Sequence, residues 1–298
     1  MLPQIGAIVV NHNTREHLRR CLAAILADAP AQTIVVDTQS QDGSAALVRR
    51  TFPAVEVLEQ ENRGYGAAAN AGLERVRAPH ALVLNADTRP ARGALAALAA
   101  YLEERPRAAV AGPLVVDEGG RLQATARRFP TPLEVLLQES GLRRLLPKAS
   151  AKRGPRSVDW VLGAAVAVRR DAVLAIGGFD ETYFMYNEEV DLCLRLRQAG
   201  WEVHYAPVAT VVHVGAASTS QERAEMAAEY VRSTAALYRR HFSRSEQAQL
   251  RGILVTALAA RSARDWVRLL LTMDPAHRRI LQAELAAWRS ARAALRGA

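Results

Sequence analysis

Four times in the first third of the chain, a short run of β-branched and aliphatic residues gives way to an Ala/Leu-rich stretch of helical period. "IGAIVVN" leads into "REHLRRCLAAILA", "QTIVVD" into "GSAALVRRTF", "VEVLEQ" into "GAAANAGLERV", and "ALVLNAD" into "GALAALAAYLEER". Repeated β-then-α units bury a strand on both faces and return the chain in the same direction. They predict an α/β fold with a mainly parallel sheet flanked by helices. "AAVAGPLVV" reads as a fifth strand, and residues 117 to 157, rich in Gly, Pro and Arg, read as a long irregular loop. Loops of that length are commonly functional. "VDWVLGAAVAVRRDAVLAIGGF" resumes as strand and helix, "EVHYAPVATVVHV" supplies one or two more strands, and from about Gln221 the pattern is helical to the end. The expected division is therefore an α/β domain over 1–220 and a C-terminal helical extension over 221–298.

A chain of 298 residues, half of them hydrophobic, can bury one large core with an appendage. The net charge is +9, and residues 221 to 298 carry 14 arginines against 7 acidic residues, so the extension holds most of it. A basic tail suits nucleic acid, an anionic membrane or acidic ligands. Two cysteines, Cys21 and Cys193, both in helical patterns, make neither a metal spacing nor a disulfide framework, which points to a reducing, cytoplasmic setting. The first residues lack the basic and apolar regions of a signal peptide. No uncharged apolar run reaches the roughly 18 residues that a membrane span needs.

In an open parallel sheet, ligands bind beyond the carboxyl ends of the strands. Here those ends carry Asn11, Asp37, Asn62 and Asn85 with Asp87. One such residue is an ordinary helix cap, but several at successive ends make a hydrogen-bonding rim for a polar ligand. Asp42 and Ser44 suit a turn and cap instead. Asp87, at the tip of a buried strand, can bind a divalent cation or can cap a helix beginning near Arg92. "RGYGAAANAGL" holds Gly64-x-Gly66-x-x-Ala69, a dinucleotide-binding spacing that suggests an NAD-dependent oxidoreductase. Two βα units precede it, however, and "EQENR" separates its glycines from the strand, so this is the second choice. Further along, "YFMYNEEVDLCLRLRQAG" crowds Glu188, Glu189 and Asp191 into four positions. Acids in a first helical turn are favoured by the helix dipole. Adjacent helical residues point about 100° apart, so Glu188 and Asp191 share a face that Glu189 does not.

Taken together, "IVVNHNTREHLRRCL", "IVVDTQSQDGS", "NRGYGAAANAGL", "LVLNADT", "WVLGAAVAVRRDAVLAIGGFDETYFMYNEEVDLCLRLRQAGW" and "VVHVGAAST" resemble the inverting family 2 glycosyltransferases of the Rossmann-like GT-A fold, most nearly those of bacterial rhamnosyltransferase type. The likeness covers roughly residues 5 to 220. It implies sugar transfer from a nucleoside diphosphate donor, dTDP-rhamnose being the candidate, to a glycan or lipid-linked acceptor in cell-surface polysaccharide synthesis. It places Asn11 and Asp37 at the nucleotide, Asn62, Arg63, Gly66 and Asn70 beside nucleotide and sugar, and Asn85-Ala86-Asp87 at the metal-binding D-x-D motif. Asp87, with His213, would hold a divalent cation, Mg2+ or Mn2+. Glu189 takes the place of the general base, leaving Glu188 and Asp191 mainly to build the catalytic turn. The chain departs from the family pattern in three places: one carboxylate in the D-x-D motif, Asp37-Thr38 for the usual Asp-Asn, and glutamate where aspartate is usual as base.

Such a transfer needs a base for the acceptor proton and positive charge at the leaving diphosphate. Trp160 can stack on an acceptor sugar or be a structural tryptophan, and Arg127 and Arg128 can meet phosphate or be solvated. A non-catalytic glycan-binding module is a further alternative. The arginine-interleaved C-terminal helices suit packing on the domain, a homodimer contact, or peripheral contact with the inner face of the cell membrane, where Trp266 and Trp288 would sit at the interface. No nucleic-acid-binding motif accompanies their charge.

Overall fold

The computed structural model describes residues 4–140, 142, 154–215 and 223–295. The chain divides into two compact units. The first comprises Met1–Phe129, Lys148–Thr182 and Glu188–Ser218, and the second comprises Pro130–Pro147, Tyr183–Asn187 and Thr219–Ala298.

In the first unit the expected βα alternation runs β1 (Ile5–Asn11), α1 (Arg15–Leu26), β2 (Gln32–Thr38), α2 (Ser44–Thr51), β3 (Glu56–Gln60), α3 (Tyr65–Arg75), β4 (His80–Asn85), β5 (Thr88–Pro90), α4 (Ala94–Glu103) and β6 (Ala108–Val116). The segment after β6 is not wholly irregular: it contains β7 (Ala126–Arg127), α5 (Pro132–Glu139) and β8 (Arg156–Ser157). The sequence signal for α5 was present, since Thr131 caps it by accepting the N–H of Glu134 and Pro132 fills the first turn. Then come β9 (Trp160–Val161), β10 (Ala165–Arg169), α6 (Arg170–Ala175), α7 (Glu188–Gln198), β11 (Glu202–His213), α8 (Arg223–His241), α9 (Arg244–Leu271) and α10 (Pro275–Ala294).

The main sheet has the order β3-β2-β1-β4-β10-β6-β11-β5, with β8 beside β11, and β7 and β9 form a separate pair. Strands β3, β2, β1 and β4 are parallel, β10 runs against β4 and β6, and β11 is parallel to β6. Alternation along each strand feeds two cores. Val9, Leu82 and Leu84 meet Leu18, Leu22 and Ile25 of α1 and Leu98 of α4 on one face. Ile8, Ile34 and Val83 meet Leu73 of α3 and Leu192 and Leu196 of α7 on the other. Gly72 lets α3 lie close over β1, because a Cβ there would overlap Ile8. Cys21 and Cys193 are free and buried, and burial pushes both thiols up to about 12.

In the second unit, Leu250, Leu254 and Leu258 present one stripe of α9 to Val135, Val231, Tyr238 and Trp288. Ser243 and Glu246 form a reciprocal capping box at the start of α9. Trp288 is not at the interface where the membrane-contact alternative would put it; it is buried, as the packing alternative has it, and donates its indole N–H to Asp265 at 3.0 Å. Trp266 is 52% exposed. Among the described residues no helix is long and apolar enough to cross a membrane.

Candidate active site

The acid cluster opens α7, and the two residues before it, Tyr186 and Asn187, have φ of 68° and 67°. A left-handed tyrosine is strained, and such strain persists only where its surroundings hold it. Within the second unit, Ser233 of α8 donates to the carbonyl of Met185 at 2.6 Å and Asn187 donates to Thr234 at 3.1 Å. Those contacts fix the turn from which the acids emerge.

The three acids then separate in environment. Asp191 is fully buried and pairs with Arg195 at 2.7 Å. Arg195 in turn donates to the carbonyls of Ile176 and Gly178. Asp191 is thereby tied, through Arg195, to the loop ahead of α7. Glu188 is also buried. Glu189 is half-buried, and its Oε2 is enclosed without a hydrogen-bond partner. Desolvation raises the Glu189 pKa; its own backbone N–H, the charge of Arg127 and the N–H groups of Gly163 and Val190 oppose the rise without cancelling it. A carboxyl in such a place is a stronger base than one in water. Gly163 lies against it, where a Cβ would stand 3.5 Å from the Glu189 side chain.

The Asn62–Asn70 segment packs beside these acids. Gly64, at φ 101°, caps α3, and Gly66 presses on Phe179 so closely that a Cβ would stand 3.1 Å away. Tyr65 donates to the carbonyl of Gly163 at 3.1 Å. Burial raises its pKa well above the usual value, and Glu188, Glu189 and Asp87 add to the rise, so the phenol stays a donor. Asn70 accepts the N–H of Phe179 at 2.8 Å and donates to its carbonyl at 2.9 Å, and also donates to Glu181. Its amide is engaged with the loop ahead of α7. Arg63 pairs with Glu181 on the surface, and the Asn62 side chain accepts the N–H of Gly64.

At the ends of β1 and β2, Asn11 donates to Asp37 at 2.7 Å and to Ser40, and accepts from Thr14. Asp37 also accepts the N–H of Ser40. Both residues are almost wholly buried, so they brace the strand ends against each other. Asp42 accepts from Arg15 N–H and from Ser44, serving the starts of α1 and α2 as expected.

Asp87 follows β4 and is not a helix cap: Asp28 receives the N–H groups of Gly93 and Leu95 at the start of α4. Asp87 instead accepts the N–H of Gly215 at Oδ2, and its Oδ1 stands 3.4 Å from His213 Nε2. Gln123 orients the ring. Its amide must donate to the carbonyl of His213, at 2.9 Å, so its oxygen faces His213 Nδ1 at 2.8 Å and accepts a proton there. That leaves Nε2 as the ring nitrogen facing a carboxylate oxygen of Asp87. An imidazole nitrogen and a carboxylate oxygen held in that apposition are suited to share a cation, and imidazole with carboxylate is a donor set for Mn2+ and its neighbours. Asn85, at the end of β4, donates its backbone N–H to Ala164.

The family model for "Glycosyltransferase like family 2" matches residues 3–239. The chain belongs to that family. It is 32% identical over 289 residues to the N-acetylglucosaminyl-diphospho-decaprenol L-rhamnosyltransferase of Mycobacterium tuberculosis, covering 88% of this chain and 92% of the relative. It is 26% identical to the rhamnosyltransferase WbbL of Escherichia coli, covering 69% and 81% of the two chains. The mannosyltransferase PcManGT from Pyrobaculum calidifontis, solved in complex with GDP-Man and Mn2+, superposes with a TM-score of 0.58 at 19% identity, over 98% of this chain and 86% of that one. The fold is GT-A, with a mixed, mostly parallel sheet and C-terminal helices.

For a glycosyltransferase, two residues near the acids and the Asp87–His213 pair escaped the sequence reading. Tyr65 sits inside the motif that supplied Asn62, Arg63 and Gly66, and its aromatic character was the available signal. Gln123 lies 90 positions from His213 in a segment read as loop, and nothing local marks it. The Gly64-x-Gly66-x-x-Ala69 spacing opens the third βα unit and packs on Phe179, so its glycines serve helix packing in a glycosyltransferase rather than an oxidoreductase.

Proposed function

We propose that this glycosyltransferase moves rhamnose, with inversion, from a nucleoside diphosphate donor to a lipid-linked acceptor. The observation that carries the chemistry is Glu189, a carboxyl raised by burial and held without a partner at Oε2, in a site whose other end is the Asp87–His213 pair. The rhamnosyl and lipid-linked parts of the reading rest on the relatives, one named for a decaprenol-linked acceptor.

Glu189 would take the proton of the acceptor hydroxyl as its oxygen attacks the anomeric carbon. Trp160, with Arg127 over its ring at 5.2 Å and its indole N–H bound to the carbonyl of Arg128, offers a fixed face beside that base for the acceptor. Tyr65 would donate near the sugar, and the brace of Asn11 and Asp37 would shape the nucleotide pocket at the strand ends. Arg63 and Asn62 would line it, and Asn70 would keep the loop ahead of α7 in place. Asp87 and His213 would hold a divalent cation, whose charge would stabilise the departing diphosphate. The basic helices after residue 220 suit peripheral contact with an anionic membrane.

Thermal unfolding against a panel of nucleoside diphosphates, with and without Mn2+ or Mg2+, tests this. A ligand of the native state raises Tm by mass action. dTDP with Mn2+ should raise it most; no shift with any diphosphate overturns the proposal. Transfer from dTDP-rhamnose to a lipid-linked N-acetylglucosaminyl diphosphate then tests donor and acceptor together.

A further inference from the structure

Six of the eleven large hydrophobic side chains exposed among the described residues lie within fifteen positions: Trp266, Val267, Leu270, Leu271, Met273 and Ile280. Exposed apolar residues scattered singly need no explanation, but a cluster of this kind marks an interaction surface. They occupy the last turns of α9, the connection to α10, and the first turns of α10. Trp266 with Leu270, and Val267 with Leu271, stand four apart and so lie along one side of α9. Leu270, Leu271 and Met273 are 75%, 77% and 89% exposed.

The scaffold beneath them is well made. Leu269, Leu281 and Leu285 pack together as a small buried core that ties the two helices. Arg278 donates to the carbonyls of Leu269 and Thr272, and Asp274 caps α10 by accepting the N–H of Ala276. Polar backbone groups that an apolar environment would penalise therefore already have partners here. The charge is one-sided: residues 261 to 280 contain five arginines and two aspartates. Asp265 is fully buried under Arg264 and Arg268, and Asp274 is the cap. What the surface presents is thus leucine, methionine and tryptophan among exposed guanidinium groups.

We propose that the α9–α10 connection is a membrane-docking tip that inserts its apolar side chains into an anionic lipid surface while Arg264, Arg268 and Arg279 meet the headgroups. Charge complementarity selects the occupant: apolar insertion with a basic rim is the chemistry of an anionic bilayer interface. No described helix is apolar enough to span, so the tip lies on the membrane rather than crossing it. The inference rests on the reading that the acceptor is lipid-linked and adds where the enzyme meets that lipid phase.

The test is flotation of the full chain with phosphatidylcholine vesicles, with and without phosphatidylglycerol. Wild type should float with the phosphatidylglycerol vesicles and be released by salt. The triple variant Leu270→Ser, Leu271→Ser, Met273→Ser should bind them roughly tenfold or more weakly. Its Tm shift with dTDP and Mn2+ should be unchanged, which shows an intact catalytic unit. Equal vesicle binding by wild type and variant, or no binding by wild type, overturns the proposal. So does a wild-type dimer that the variant converts to monomer without change in vesicle binding, which would assign the surface to a second copy. If wild type turns over a lipid-linked acceptor without binding vesicles, docking fails and the acceptor reading stands. If docking holds and no lipid-linked acceptor is used, the reverse is true.

Discussion

Glu189 and Asp87, proposed as base and metal ligand, lie in the same compact unit and are kept in different surroundings. Asp87 is met by the N–H of Gly215 and by His213, which Gln123 orients. Glu189 has an enclosed Oε2 without a partner, the carbon skeleton of Gly163 against it, and a pKa raised by burial. A polar shell suits a group that must stay charged and hold a cation. A desolvated carboxyl with one oxygen left unpartnered suits a group that is to gain and lose a proton. On the proposed assignment, one unit thus keeps apart the two charges that glycosyl transfer must handle.

Glu189→Gln should break the base end and leave the other intact. Transfer should fall about 10²- to 10⁴-fold, with donor affinity by calorimetry unchanged; retained turnover would remove Glu189 as base. The same variant should unfold at a higher temperature at neutral pH. The folded-state pKa of Glu189 is raised, so the native chain binds its proton more tightly than the unfolded chain. Stability therefore falls as pH rises from the ordinary carboxylate range, near about 4.3, towards the raised value, and above it the buried charge remains a cost. Glu189→Gln should flatten that slope in a pH series of melting curves. By the same shift, the acid limb of kcat/KM in wild type should lie above the ordinary carboxylate range.

Asp87→Asn should break the other end. Donor binding in Mn2+ should weaken by about 100-fold, the scale of one lost charge at a metal-held diphosphate. Gln123→Leu is a subtler cut, because Gln123 bonds His213 and reaches the proposed cation site only through that ring. Mn2+ affinity, read by electron paramagnetic resonance, should drop roughly 10- to 100-fold through loss of the ring's orientation. Its metal-free melting temperature should barely move, since Gln123 is a half-buried loop residue. The smallest effect belongs to Arg127→Ala. Arg127 lowers the pKa of Glu189, so its loss should shift the acid limb of kcat/KM upward while Mn2+ affinity holds.

The βα alternation was legible because each unit carries its own period, and β1 to β4 with α1 to α4 follow it. Which acid does what was less so. Spacing alone put Glu188 and Asp191 on one face, but only packing shows Asp191 engaged with Arg195 and Glu189 left without a partner at Oε2. Asp87 read equally as a cap until Asp28 proved to hold the start of α4. Gln123 was invisible because its whole meaning is a contact across 90 positions. The tail misled in part: its helical arginine pattern was clear, yet periodicity could not tell buried Trp288 from exposed Trp266.

The turn at Tyr186 and Asn187 has a practical bearing on how this enzyme can be recombined with its relatives. Its clamps, Ser233 and Thr234, come from α8, and the family model ends at residue 239, just past them. The composition change near residue 220 looks like a natural joint, but a graft made there would import a foreign partner for the strained turn that leads into the first residues of α7. A graft made between α8 and α9 would keep turn and clamp from one parent, but it would also have to match the core that α9 and α10 share with α5 and α8.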